Sequence, residues 1–127
     1  MQRLDALIWT HYAADPNQDF LSLHKVVEIK TFCYYNICME ITFDPAKDAI
    51  NKDGHDGISL ADACRFDWDS LRYEVDTRFN YGEERYRGFG YIGDRLHMVA
   101  FTFRDETMRV ISLRKANARE VRDYEQA

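Results

Sequence analysis

Arg109, Arg114, Arg119 and Arg122 gather near the C-terminal end of the chain, with Tyr124 beside the last of them. A guanidinium is a planar fork that makes bidentate contacts to phosphate and keeps its charge at any working pH. Phosphate recognition is therefore the chemistry this group of residues suggests. The competing reading is bland. Charges on an exposed strand also discourage edge-to-edge pairing, and Arg119 and Arg122 have Asp123 and Glu125 close by as ion-pair partners.

The elements that must position these residues are legible. Residues 109–114 alternate loosely between polar and apolar, the period of a half-buried strand, which puts Arg109 and Arg114 at polar positions. Asn117, followed three residues later by Glu120, forms a variant of the capping box and opens a terminal helix that carries Arg119, Arg122 and Tyr124.

Elsewhere the candidates are sparser. His55 sits beside glycines in a turn, where capping a helix end competes with proton transfer. His97 lies between Leu96 and Met98 in an apolar strand and reads as structural. Glu84-Arg85 is either an exposed ion pair of small energetic value or part of a site. Lys47 lies on a helix, where solvation is the ordinary fate of its charge. Tyr86, Phe89 and Tyr91 suit stacking on bases, although core packing is the commoner role of strand aromatics.

Composition bounds the rest. A chain of 127 residues with 46% hydrophobic content has enough material for one core. Its formal net charge is −5, so any nucleic-acid role rests on a local basic face and not on a global field. The cysteines, Cys33, Cys38 and Cys64, lack the spacing of a zinc site and read as free thiols in a reducing compartment. No apolar run approaches the roughly 20 residues needed to cross a bilayer. The N-terminus lacks a cationic start and a small-residue cleavage site, so a cytoplasmic protein is expected.

Along the chain, residues 5–13 suggest a short helix with Leu7, Ile8 and Trp9. Asp15-Pro16-Asn17 reads as a turn, and 21–29 as a second apolar cluster. Residues 31–37 are β-prone, though Tyr34-Tyr35-Asn36 breaks the alternation. From Met39 the signals sharpen. Residues 40–43 make a strand; Asp44 as N-cap and Pro45 at the first helical position start a helix that ends near Gly54. Ser59 caps a second helix containing Leu60, Ala63 and Phe66. Strands follow at 71–75, 85–92 and 96–104, with Val99, Phe101 and Phe103 facing inward, and Asp105-Glu106-Thr107 turns into the closing strand. Strands joined by tight turns are antiparallel neighbours. The expectation is thus an α+β domain: an antiparallel meandering sheet, two helices on its N-terminal side and one at the C-terminus.

From residue 43 onward the sequence resembles the BrnT family, the ribonuclease toxins of type II toxin–antitoxin pairs. Phe43-Asp44-Pro45-Ala46-Lys47 corresponds to the family's aromatic-Asp-Pro-x-Lys opening, Asn51 precedes a His-Gly connection, and Ser59 starts the second helix. Gly82-Glu83-Glu84-Arg85-Tyr86 matches an acidic-Arg-aromatic segment, followed by Ile92-Gly93. The closing strand matches through Lys115 and Ala116, and Glu120 and Tyr124 fall on the terminal helix. Phe43 stands where Trp is usual, and Asp56 is inserted between His55 and Gly57.

The resemblance implies a RelE-like architecture that cleaves RNA, and because the sequence holds no metal motif, a reaction without metal or other cofactor is the simplest expectation. It also implies a cognate BrnA-type antitoxin as partner, with a toxin dimer inside the antitoxin complex. RNA cleavage needs a base for the 2′-OH, a cation for the pentavalent phosphorane and an acid for the 5′-oxygen. Arg85, Arg109 and Arg114 would supply the cationic cradle, and Glu84 or His55 the proton transfer. Lys47, Lys115, Arg119 and Tyr124 would line the RNA path.

Two other functions stay open: a non-catalytic toxin-like co-repressor bound to the antitoxin, and an RNA-binding module without nuclease activity. The match spans 39–127. Residues 1–38 form an N-terminal extension outside it, read either as a segment covering the sheet or helices or, the favoured reading, as the product of an upstream start with Met39 the true initiator.

Overall fold

A computed structural model of the protein describes the backbone of Gln2–Arg3, Glu28–Tyr34 and residues 37–39, and residues 40–127 in full. The helix expected at 5–13, the turn at 15–17 and the apolar cluster up to residue 27 lie outside the described residues.

Strands β1 (Gln2–Arg3), β2 (Glu28–Tyr34) and β3 (Ile37–Phe43) precede helix α1 (Pro45–Gly54) and a 3₁₀ helix (Leu60–Arg65). Then come β4 (Phe66–Val75), β5 (Tyr86–Ile92), β6 (Arg95–Arg104), β7 (Thr107–Lys115) and helix α2 (Ala118–Gln126). The strands join one sheet in the order β1-β4-β5-β6-β7-β3-β2. Strands β4 to β7 form the expected antiparallel meander. The sheet is nevertheless mixed, because β3 lies parallel to β7, with Ile41 opposite Met108 and Thr42 opposite Arg109. The turn rule constrains only strands linked by tight turns. β3 leaves through two helical segments and is free to pair in parallel.

Most helix ends follow their signals. Asp44 accepts the Ala46 amide at 2.9 Å, and both Ser59 and Asn117 complete capping boxes, with Asp62 and Glu120 as the reciprocal acids. The end of α1 differs from expectation. Gly54 is its last helical residue, and the left-handed positions fall on Asp56 (φ 54°) and Gly57 (φ 76°), with the Gly57 amide bonding back to the Lys52 carbonyl at 2.9 Å. The second helix is a short 3₁₀ turn. Phe66 belongs instead to β4, because Phe66-Asp67-Trp68-Asp69 alternates with a strand's period of two.

One face of the sheet holds the core. Ile41, Phe43, Val99, Phe101, Met108, Val110 and Leu113 meet Leu60 and Ala63 of the 3₁₀ helix, and each is at most 1% exposed. Toward β4, Trp68, Tyr73 and Tyr86 pack around Phe101. Close approach of β4 to β5 depends on Gly90, where an added methyl would lie 2.6 Å from the Phe66 ring. Helix α2 covers part of the other face, where Tyr124 packs edge-on against Tyr91 of β5 at 5.6 Å.

Candidate nucleic-acid interface

Arg109 and Arg114 are five residues apart, which in a regular strand would send them to opposite faces. A β-bulge in β7 changes this. Val110 pairs with Phe101 and Ser112 with Ala100, so Ile111 is the extra residue. Burial records the shift: Met108, Val110 and Leu113 face the core, and Arg109, Ser112 and Arg114 share the other face.

Cross-strand register then assembles a patch. Thr102 of β6 lies opposite Arg109, Ala100 opposite Ser112, and Met98 opposite Arg114. On β5, Arg87 lies opposite Ala100 and Phe89 opposite Met98. Continuing that register one residue before Tyr86 sets Arg85 opposite Thr102, whose hydroxyl donates to the Glu84 carbonyl at 2.7 Å. Four arginines thus surround a floor of small or flexible side chains: Arg85 and Arg87 on one flank, Arg109 and Arg114 on the other. The flanks are two strand spacings apart, about 10 Å. Met98, Ala100 and Ser112 are half-buried, so solvent reaches the floor.

Three of these arginines hold carboxylates. Arg114 makes a bidentate pair with Glu120 of α2, at 2.9 and 2.8 Å. The Glu120 hydrogen bonds raise the Arg114 pKa, and the same bonds hold the Glu120 carboxyl below its ordinary value. Arg87 pairs with Glu74 at 2.8 Å. Glu83 serves both Arg85 (3.1 Å) and Arg104 (2.9 Å). Burial pushes the Glu83 carboxyl up, but the two guanidiniums outweigh it and keep it below the usual range. Arg109 is half-buried and makes no ion pair among the described residues.

The other expected site residues distribute unevenly. Glu84 sits just before β5 and two residues from Tyr86. Its carboxylate accepts the Tyr86 hydroxyl at 2.8 Å, on the core side and away from Arg85. His55 is the C-cap of α1, its carbonyl accepting from the Ile58 amide at 3.0 Å. Among the described residues no hydrogen bond links its ring to the arginine patch. Lys47 is exposed on α1, on the far side of the sheet. Lys115 faces His97 across the strands and so points opposite to Arg114. Arg119 is exposed on α2 and lies 3.9 Å from Asp123. Tyr124 is engaged in docking α2: its hydroxyl donates to the Ser70 carbonyl, and Arg72 lies 4.5 Å over its ring. The sheet and α2 enclose a cleft of about 510 Å³ lined by Arg72, Arg87, Phe89, Arg119 and Tyr124. His97 is buried, and burial lowers its pKa, in keeping with a structural role.

Arg87 belongs to no motif, yet it stands two residues from Arg85 and therefore on the same face. Asn51 is more than a marker of the family pattern. The Asn51 carboxamide donates to the Leu113 carbonyl at 2.8 Å and accepts the Leu113 amide at 3.2 Å, taking the place of a strand beyond the end of β3. Cys64 forms no disulfide, and the side chains of Cys33 and Cys38 lie outside the described residues. No helix among the described residues is long and apolar enough to cross a membrane.

Residues 43–120 match the family model described as "Ribonuclease toxin, BrnT, of type II toxin-antitoxin system". No curated protein matches the chain. The matched segment covers most of the chain and includes all four arginines of the patch, and the chain belongs to the BrnT family of ribonuclease toxins.

Proposed function

From that membership we propose that the chain is a metal-independent endoribonuclease whose phosphate site is the arginine face. The observation that carries this reading is the grouping of Arg85, Arg87, Arg109 and Arg114 on one face, with Arg109 free of an ion pair among the described residues. In the reaction, a base removes the 2′-OH proton and the oxygen attacks the adjacent phosphorus. A five-coordinate dianion forms, and the 5′-oxygen leaves with a proton. Guanidiniums held on the sheet stabilise that dianion where its charge develops. Arg109 serves as the open cation, while Arg114 exchanges Glu120 for phosphate oxygens. Glu84 and His55 remain the candidate proton carriers, each needing a movement toward the patch.

In the cell such an enzyme would arrest growth in the cytoplasm. A BrnA-type antitoxin would cover the arginine face, with a toxin dimer inside the complex. A second reading has its own observation. Glu84 and His55 do not face the patch, and three of its arginines already hold carboxylates, which suits a non-catalytic RNA-binding or co-repressor role.

The deciding experiment incubates the full chain with labelled RNA in the presence of EDTA. The parent should cleave. The Arg109→Ala/Arg114→Ala variant should stay folded and lose about 100-fold or more in rate, the scale of removing a transition-state charge donor. A folded double variant that cleaves at the parent rate would overturn the assignment. A parent that binds RNA without cleaving it would favour the second reading.

A further inference from the structure

The connection between β4 and β5 is rigid where a surface loop would ordinarily be loose. Asp76 is 7% exposed and accepts from Nε and Nη2 of Arg78, each at 2.8 Å, from the Arg78 amide at 3.2 Å and from the Tyr81 hydroxyl at 3.1 Å. Its own amide donates to the Arg85 carbonyl at 2.7 Å, closing the base of the loop. From there an aromatic ladder runs outward. The Arg85 guanidinium lies 4.2 Å over the Tyr81 ring, and Tyr81 meets Phe79 edge-on at 5.8 Å. Phe79 ends the ladder, 69% exposed.

A lone exposed apolar side chain needs no explanation. Phe79 differs because it is held in a tightly hydrogen-bonded loop whose arginines are each fixed by a carboxylate, Arg78 by Asp76 and Arg85 by Glu83. Arg78 precedes it, Arg85 backs its ladder, and Arg104 shares Glu83 with Arg85. Arg85 belongs to the arginine face, so its stacking on Tyr81 and the bond from the Asp76 amide to its carbonyl place the loop beside that face. Single-stranded RNA is recognised by this combination: unstacked bases lie on aromatic rings while neighbouring cations take the phosphates. A single exposed ring offers an apolar protein partner little area to bury, whereas it is enough for one base.

We infer that Phe79 is a stacking platform for an unpaired base next to the phosphate held by the arginine face. This rests on the proposed RNA-cleaving function and names a contact that selects the substrate strand.

The test is fluorescence anisotropy on the full chain, using a labelled single-stranded 2′-O-methyl oligonucleotide that lacks the nucleophile, and an abasic oligonucleotide of equal length. Phe79→Ala should weaken binding to the first by about 5- to 150-fold, the range for losing one base–aromatic stack. Phe79→Tyr should bind as the parent does, and all three proteins should bind the abasic strand equally. Equal affinity of parent and Phe79→Ala for the base-bearing strand overturns the inference. So does an equal loss on the abasic strand, which would mean the ring acts through loop position. If Phe79→Ala binds RNA normally but escapes capture by its antitoxin, the ring belongs to a protein interface and the inference is again wrong. A parent that binds neither strand removes the RNA reading itself, and this inference with it.

Discussion

Asp76 carries more of the local order than any cation around it. Hydrogen bonds from Arg78 are the main cause of a carboxyl pKa far below the ordinary value, with burial opposing and Tyr81 adding to the effect. A carboxyl whose pKa is depressed on folding contributes stability that is present above the unfolded value, about 3.9, and is lost as pH falls below it. Asp76→Asn keeps the shape but cannot grip the guanidinium with two oxygens. It should cost about 1–3 kcal/mol at pH 7. In urea titrations the gap between parent and variant should narrow as pH drops below about 4. A gap of constant size would mean the charge is not the cause. At this scale the sequence was a partial guide. Arg109 and Arg114 are legible as polar strand positions, yet their common face depends on a bulge at Ile111 that no local signal announces. Glu84 stands next to Arg85 in sequence, but the alternation of side chains turns the two apart, and its hydrogen bond to Tyr86 fixes it there.

Elements with strictly local causes were legible. Asp44-Pro45, Ser59 and Asn117 with Glu120 each satisfy amides within three residues, so their caps follow from short patterns. The parallel pairing of β3 with β7 was not legible. It joins segments separated by the whole meander, and period-two alternation carries no record of which strand lies next door. The Asn51 carboxamide completes that non-local arrangement by bonding both backbone groups of Leu113 where β3 ends. Asn51→Ala leaves a buried amide and carbonyl without these partners. We expect a loss of about 2–4 kcal/mol, since each buried unsatisfied group costs roughly 1–3 kcal/mol. Denaturant titration would read this as a lower midpoint with an unchanged slope. A midpoint within error of the parent would show that another group covers the strand edge.

The whole molecule is acidic, with 22 Asp and Glu against 17 Lys and Arg. Its long-range field therefore repels RNA, and binding must come from a short-range face. The face we propose for it sets Arg85, Arg87, Arg109 and Arg114 on the side opposite the core, partly bridged to α2 through Glu120. The net charge makes a nucleic-acid role depend on a local face, and the C-terminal arginines are the part of the proposed one legible in sequence. The carboxylates that share it became visible only in three dimensions, because Glu74, Glu83 and Glu120 come from three separate segments. The most direct measurement of the central claim is the salt dependence of RNA affinity for the full chain and for Arg109→Ala. Each phosphate neutralised on a single strand contributes about 0.7 to the slope of log affinity against log salt. If Arg109 holds a phosphate, the variant should bind more weakly, and its slope should fall by about that amount. An unchanged slope and affinity would contradict the arginine face as the RNA site.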